Sequence, residues 1–235
     1  MSTVDVGGIQ ITPFDSMEDA VAHVIQSTGI TPGFGIAINP EKIIMARKDV
    51  TLRDQLNSGT LRFADGMGVV KTMRKKGVPS QRIPGVEFWQ ALMMGSREQQ
   101  VPVMLIGARP EINQQAAAKL KAAGVNVVAN INGYFTDEHV LIDALHQHQP
   151  KIVSVAMGSP RQELLIARLR EHYPDAFYQG VGGTYDVFTG HVKRAPKLFC
   201  KLHLEWFYRL CAQPTRIARQ LNLIKYVWLH FTGRL

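Results

Sequence analysis

Short apolar runs closed by turn residues recur along this chain at Phe34–Ile38, Leu61–Ala64, Val101–Ile106, Val125–Ala129, Ile152–Met157 and Ala176–Val181. Their length suits buried strands better than helices. Between most of them lie segments long enough for helices, among them Pro110–Ala123, Asp137–His148 and Pro160–His172. Such alternation predicts an α/β fold, a mainly parallel Rossmann-like sheet covered by helices on both faces. Pro40, Pro110 and Pro160 are expected in first helical turns, where a missing N–H costs nothing. Glu41, Glu111 and Glu163 then place acid near the positive helix ends. Gly124 is expected to end the Pro110 helix as its C′ residue. At 235 residues the chain fits one large domain, or a domain with an appendage, and can bury enough surface to need no staple.

After Pro196 the pattern changes to two helices. The second, from Pro214 to about Phe231, puts Ile217, Leu221, Ile224, Trp228 and Phe231 on one stripe, with Arg219, Asn222, Tyr226 and His230 opposite. Charge follows the same division. From Gly190 onward there are nine Lys and Arg and a single acid, Glu205, which leaves eighteen residues of each sign in positions 1–189 and gives the tail the whole excess of +8. The expected organisation is an α/β catalytic domain over 1–195 and a basic, amphipathic, helical appendage over 196–235. A basic helix with Trp and Phe on its apolar side suits an anionic membrane interface. The alternative is a helical hairpin that packs its stripe on the body. Nucleic acid is a poorer partner, because the tail's aromatics lie with its apolar residues and no RNA- or DNA-binding motif is visible. MSTVDVGGIQIT lacks the basic and apolar regions of a signal peptide, and no window reaches the ~18 apolar residues of a spanning helix. A soluble or peripheral protein is expected. Cys200 and Cys211 have no metal-type spacing and read as reduced thiols.

The candidate chemistry sits where strands end. The runs at Ile152–Met157 and Ala176–Val181 open onto Gly158-Ser159-Pro160 and Gly182-Gly183-Thr184, and ligands of open α/β sheets bind at that edge. Asp65, in LRFADGMGVV, follows a strand; it is either a general base or the cap of a helix beginning near Met67. Asn39, in AINPEK, can cap its helix, offer its amide to a sugar hydroxyl, or both. Gly107-Ala108-Arg109-Pro110 forms a turn into a helix N-terminus, suited to phosphate, with Arg109 beside it. No GxGxxG fingerprint or GxxxxGK[ST] loop is present, which argues against a dinucleotide cofactor, hence against a nucleotide-sugar oxidoreductase, and against ATP hydrolysis. No Asp-x-Asp pair and no paired-histidine spacing occurs, so no metal is expected. A departing diphosphate would then need fixed positive charge, for which Arg82, Arg109, Lys193 and Arg194 are the candidates. Asp186, in GGTYDVFTG, either accepts hydrogen bonds from uracil or ribose or fixes its own turn. Tyr134, in NGYF, either stacks on a base or is a half-buried aromatic.

AMGSPRQE followed by GVGGTYDVFTGHVKRAP, together with the ADG element at Asp65, closely resembles the WecG/TagA/CpsF family of bacterial glycosyltransferases. The resemblance runs from about Ala37 to the C-terminus, and LEWFYRLCAQPTRIARQL resembles the enterobacterial branch. It implies an inverting transfer of N-acetyl-mannosaminuronate from a UDP-sugar donor to the 4-hydroxyl of GlcNAc on undecaprenyl diphosphate, in enterobacterial common antigen assembly. UDP-ManNAc is the alternative donor. No cofactor is implied. It matches Asp65 to the family's proposed catalytic aspartate, which favours the base over the cap, and Gln162 to an active-site glutamine. Asn39 and Gln162 would hold the sugars, and Arg82 would act at the departing diphosphate. Gly107, Arg109, Tyr134, Gly158, Ser159, Gly182, Gly183, Thr184, Asp186, Lys193 and Arg194 would line the substrate site. Two positions depart from the pattern: Ala37 stands where the family often has threonine, and Glu87 where relatives tend to have aspartate. A lipid-linked acceptor implies a cytoplasmic protein, peripheral on the inner face of the membrane. Oligomeric state, a homo-oligomer included, stays open.

Overall fold

A computed structural model describes residues 2–192, Phe199 and 217–235, with the backbone alone for 217–221. Lys193, Arg194, Cys200, Cys211 and the first tail helix lie outside the described residues. In chain order the elements are β1 (Val4–Val6), β2 (Ile9–Ile11), α1 (Met17–Ala22), β3 (Ile25–Gln26), β4 (Gly29–Ile30), β5 (Gly33–Ile38), α2 (Pro40–Ala46), α3 (Val50–Asn57), β6 (Leu61–Ala64), α4 (Met67–Lys75), α5 (Gly85–Gly95), β7 (Val103–Gly107), α6 (Pro110–Ala122), β8 (Val127–Ile131), α7 (His139–His148), β9 (Ile152–Ala156), α8 (Arg161–His172), β10 (Phe177–Gly180), α9 (Thr184–Thr189) and α10 (Ile217–Phe231).

The six apolar runs form one sheet in the order β6-β5-β10-β9-β7-β8, and every pairing in it is parallel. The fold is therefore the α/β, Rossmann-like arrangement that the alternation predicts. Side chains alternate between two cores, as the pleat requires: Met104 and Ile106 of β7 enter one, Val103 and Leu105 the other. Strands β7 and β8 start two residues later than their apolar runs. The N–H of Val101 closes the preceding helix on Ser96 O (3.0 Å), and that of Val125 closes α6 on Leu120 O (3.0 Å). Pro40 and Pro110 open α2 and α6 as expected, whereas Pro160 occupies the position before α8. Gly124 follows α6 with φ +85°, the left-handed C′ conformation expected of it.

An N-terminal hairpin, β1–β2, packs Val4, Val6, Ile9 and Ile11 into the first core, and the N–H of Thr12 donates to Arg62 O of the edge strand β6 (2.8 Å). The only sequence signal for it is VDVGGIQI, a short alternating run around Gly-Gly.

Helix α10 packs on α2 and α4, but with the face opposite to the predicted stripe. Tyr226 and Leu229 are buried (1% and 4% exposed), while Ile224, Trp228 and Phe231 stand in solvent at 67%, 53% and 77%. Polar pairing decides the orientation. Tyr226 Oη lies 2.7 Å from Thr72 Oγ1 and donates to Gly68 O at 3.2 Å, and His230 Nδ1 lies 2.9 Å from Thr72 Oγ1. Burial pushes the Tyr226 phenol up to about 12. The alternative of a stripe packed on the body is excluded for Ile224, Trp228 and Phe231; the side chains of Ile217, Arg219 and Leu221 lie outside the described residues.

Partial burial lowers the His230 pKa from its ordinary 6.5, and the ammonium groups of Lys75 and Lys71 lower it further. The docked state thus binds this proton less readily than the undocked one. Its contribution is complete above about pH 6.5 and fades as pH falls from there toward the depressed pKa. Amide exchange over Ile217–Phe231, corrected for intrinsic rate, is expected to show weaker protection at about pH 5.5 than at about pH 7.5, and His230→Asn should flatten the difference. Equal protection of the parent at both values would remove His230 from the docking account.

Candidate functional site

All six strands end at one edge, so their following turns form a single row. In sheet order it reads Asp65 after β6, Asn39 after β5, Gly182–Asp186 after β10, Gly158–Gln162 after β9, Gly107–Arg109 after β7 and Tyr134 after β8. At about 4.8 Å per strand the row is about 24 Å long. The chain leaving β5 turns to the first core, through Ile43 and Ile44 of α2. The chain leaving its neighbour β10 turns to the second, through Tyr185 of α9. A crevice opens between two such strands, where α/β sheets bind ligands.

At the β6–β5 end, Asn39 caps α2, its Oδ1 accepting the Lys42 N–H at 2.9 Å. The side-chain oxygen is spent on the cap and its Nδ2 has no protein partner among the described residues. Asp65 does not cap α4. Gly66 holds that position with no side-chain cap. A Cβ on Gly66 would press Pro40 Cδ at 2.9 Å, so the two turns abut through this glycine. The Asp65 carboxylate instead faces Arg82, with Nη2 3.7 Å from Oδ1 and both side chains about a fifth to a quarter exposed (19% and 26%). Arg82 reaches it because the 80–84 segment runs beside β6, where the Ile83 N–H donates to Ala64 O (2.9 Å). The first residue of α5, Gly85, lies against both Asp65 and Ala37.

At the β7–β8 end the turn after β7 is left-handed twice, with φ +100° at Gly107 and +59° at Ala108. A Cβ on Gly107 would run into the Ala156 carbonyl of β9. Asn113, buried in the first turn of α6, holds this turn: its Nδ2 donates to Gly107 O (2.9 Å) and Ile131 O (3.1 Å), and its Oδ1 accepts from Asn130 Nδ2 (2.9 Å). Arg109 spans outward to Glu111 Oε1 (3.3 Å) and Asp186 Oδ1 (3.8 Å), which are exposed contacts. Tyr134 is 70% exposed, more than the half-buried alternative expected of it. Its N–H donates to Asn132 Oδ1 (2.9 Å).

Between the two ends, Gln162 is buried and its amide is engaged: Oε1 accepts the Gly182 N–H (2.9 Å) and Nε2 donates to Glu163 Oε1 (3.2 Å). Thr184 is also buried, its hydroxyl donating to Val181 O (2.6 Å). Gly158 (φ +74°) and Ser159 form the turn into α8, and Gly183 precedes α9. Glu163 serves neither as a mere dipole-complementing acid nor as a surface group. Its carboxylate, fully buried, meets Lys42 Nζ at 2.9 Å. Burial pushes its pKa up, but the Lys42 ammonium and the hydrogen bonds from Lys42, its own backbone and Gln162 outweigh that and hold it below the usual carboxylate value. This pair bridges residues 121 apart, and no local spacing signals it. Asn113 is likewise invisible in a sequence whose helix positions read as solvated.

Among the described residues no group of three or more His, Cys, Asp or Glu is placed to hold a metal ion. The site has instead fixed cations, a left-handed turn at a helix start and two carboxylates at different strand ends. The sequence model of the Glycosyl transferase WecG/TagA/CpsF family matches residues 4–235. The chain belongs to that family and is a glycosyltransferase of its type.

Gly107→Ala is expected to lower the melting temperature by several degrees, since it adds both a steric clash and backbone strain of about 1–3 kcal/mol. An unchanged melting temperature would mean that the turn relaxes without cost.

Proposed function

On the premise of that membership, we propose that the chain is an inverting glycosyltransferase that moves N-acetyl-mannosaminuronate from its UDP donor to the 4-hydroxyl of GlcNAc on undecaprenyl diphosphate. The observation that carries the mechanism is Asp65: a carboxylate released from helix capping and held at the crevice by Arg82. The acceptor hydroxyl attacks the anomeric carbon, Asp65 takes its proton, and the bond to the UDP oxygen breaks with its electron pair leaving on UDP. A base so placed contributes about 10²–10⁴-fold. The nucleotide fits the β7–β8 end, where the α6 N-terminus and Arg109 offer positive charge to the diphosphate. Uracil stacks on the exposed ring of Tyr134, and Asp186 receives the ribose or base. The sugar then points toward Asn39, whose Nδ2 is available to a hydroxyl. Lys193 and Arg194, which follow α9, add cations near the diphosphate or the uronate carboxylate.

The outward stripe on α10 supports a peripheral place on an anionic leaflet, on the cytoplasmic side where nucleotide sugars are found. No helix among the described residues is long and apolar enough to cross a membrane. Ile224, Val227, Trp228 and Phe231 form an exposed apolar ridge. Cations surround it from the tail and the body alike: Arg234 lies over the Trp228 ring at 5.1 Å, and Lys75 Nζ donates to His230 O at 2.8 Å. Each such cation near an anionic surface contributes about 1 kcal/mol.

Asp65→Asn is expected to retain UDP affinity and lose about 100-fold or more in turnover on a lipid-linked GlcNAc acceptor. Normal turnover in that variant would end the base assignment, and comparing UDP-ManNAcA with UDP-ManNAc in the parent assigns the donor. Replacing Ile224, Trp228 and Phe231 together by serine leaves the docked face of α10 intact. It should abolish sedimentation with phosphatidylglycerol-containing vesicles; undiminished sedimentation would reject the ridge as the contact.

A further inference from the structure

Four hydrogen bonds run in series across the middle of the ligand edge. The Gly182 N–H donates to Gln162 Oε1 (2.9 Å), Gln162 Nε2 donates to Glu163 Oε1 (3.2 Å), Lys42 Nζ donates to the same oxygen (2.9 Å), and the Lys42 N–H donates to Asn39 Oδ1 (2.9 Å). The series starts on the turn after β10, passes through α8, which follows β9, and ends on the turn after β5. In the sheet β10 lies between β5 and β9. The three central turns of the proposed site are thus tied to one another by side chains, over and above the sheet that carries them.

Burial makes this tie rigid. The Glu163 side chain is 0% exposed and that of Lys42 12%. Glu163 Oε2 is buried without a hydrogen-bond partner among the described residues. Removing two charges from water is costly, and a buried pair commonly returns little net stability. What it does impose is direction, because a shared carboxylate oxygen fixes both donors. Space is fitted to the same end: a Cβ on Gly180 would lie 2.6 Å from Gln162 Nε2, so the amide lies flat against the end of β10. Gly182 has φ +53°, and nothing lies within 4 Å of where its Cβ would be. The Gln162 amide therefore holds Gly182 from the inner side, while Thr184 closes the rest of the turn on Val181 O through its N–H (3.1 Å) and hydroxyl (2.6 Å). Asp186, which pairs with Arg109, follows on the same turn and helix.

We propose that Lys42 and Glu163 are positioning residues of the transferase: acting through Gln162 and Asn39, they set the Gly182 turn and the α2 cap in register around the sugar being transferred. This rests on the transfer reaction proposed above, while the mechanical part of it does not. Neither residue touches substrate. Gln162 becomes a link in the same series, its amide spent on protein and not on a hydroxyl. With its ammonium engaged by the buried Glu163 carboxylate, Lys42 is not a cation for the departing diphosphate.

The test uses the full chain with Glu163→Gln, and the double variant Lys42→Met with Glu163→Gln, which leaves no unpaired buried charge. Amide exchange at Gly182, followed by NMR without substrate, is compared with exchange in strand β7, and turnover is measured with the lipid-linked acceptor. In the double variant, Gly182 exchange is expected to accelerate at least 10-fold with β7 unchanged. The turnover number should fall at least 10-fold with the donor KM changed less than 3-fold. Glu163→Gln keeps an acceptor for Lys42 and should lie between the two. Unchanged Gly182 exchange in either folded variant overturns the tie, and accelerated exchange with parental turnover overturns its role in the reaction. If the parent itself fails to transfer from either UDP-sugar while Gly182 responds, the substrate assignment falls and the tie stands.

Discussion

A parallel sheet delivers all its strand ends to one side, and this chain has six of them. The turns that carry Asn39 and Gly182 come side by side because β5 and β10 pair directly. The inner strands β7 and β9 are almost wholly apolar and buried throughout, so polar side chains accumulate where such strands stop. Between β5 and β10 the following helices go to opposite faces, the arrangement at which open α/β sheets bind ligands. Everything proposed for transfer depends on that geometry: base and sugar contacts at one end, nucleotide contacts at the other, a fixed centre between.

Three of the ion pairs along this edge join separate segments of the chain, and their exposure differs in a way that matters. Lys42–Glu163 is buried, Arg82–Asp65 is partly exposed, and Arg109–Asp186 is largely exposed on the arginine side. A buried pair cannot exchange its partner for a ligand without leaving a charge stranded. An exposed pair can, because water already screens it and its net contribution is small. The fixed pair thus belongs to the framework, whereas the exposed Arg109 can change partners at little cost.

The tail helix illustrates how hydrogen bonding can override amphipathic pattern. A helix with Ile, Trp and Phe on one side would ordinarily bury that side. Here Thr72 offers a hydroxyl at a position where Tyr226 and His230 can both meet it, and Leu229 fills the gap beside them. The apolar ridge is left outward, ringed by cations from α4 as well as from the tail. The charge asymmetry of the sequence therefore understates the body's share of the basic surface: Lys71 and Lys75 belong to a segment that is neutral only on average.

Much of the fold was legible in the chain. Six apolar runs, the prolines at Asn39-Pro40 and Arg109-Pro110 and the glycine at position 124 specify strands, helix starts and a helix stop, because each is a local requirement of backbone geometry. The candidate site residues were legible as positions just past strand ends, where Asp65, Asn39, Arg109 and Asp186 do stand. The sequence could not tell an Asp65 that caps α4 from one that pairs elsewhere, since both need the same local spelling; the 80–84 segment brings Arg82 beside it, while Gly66 takes the cap position. It could not show that Gln162 is spent on Gly182, that Glu163 pairs with Lys42, or which side of α10 faces in. Those outcomes depend on contacts between residues more than a hundred positions apart in two cases, and pairwise distances of that kind exist only once the sheet has closed.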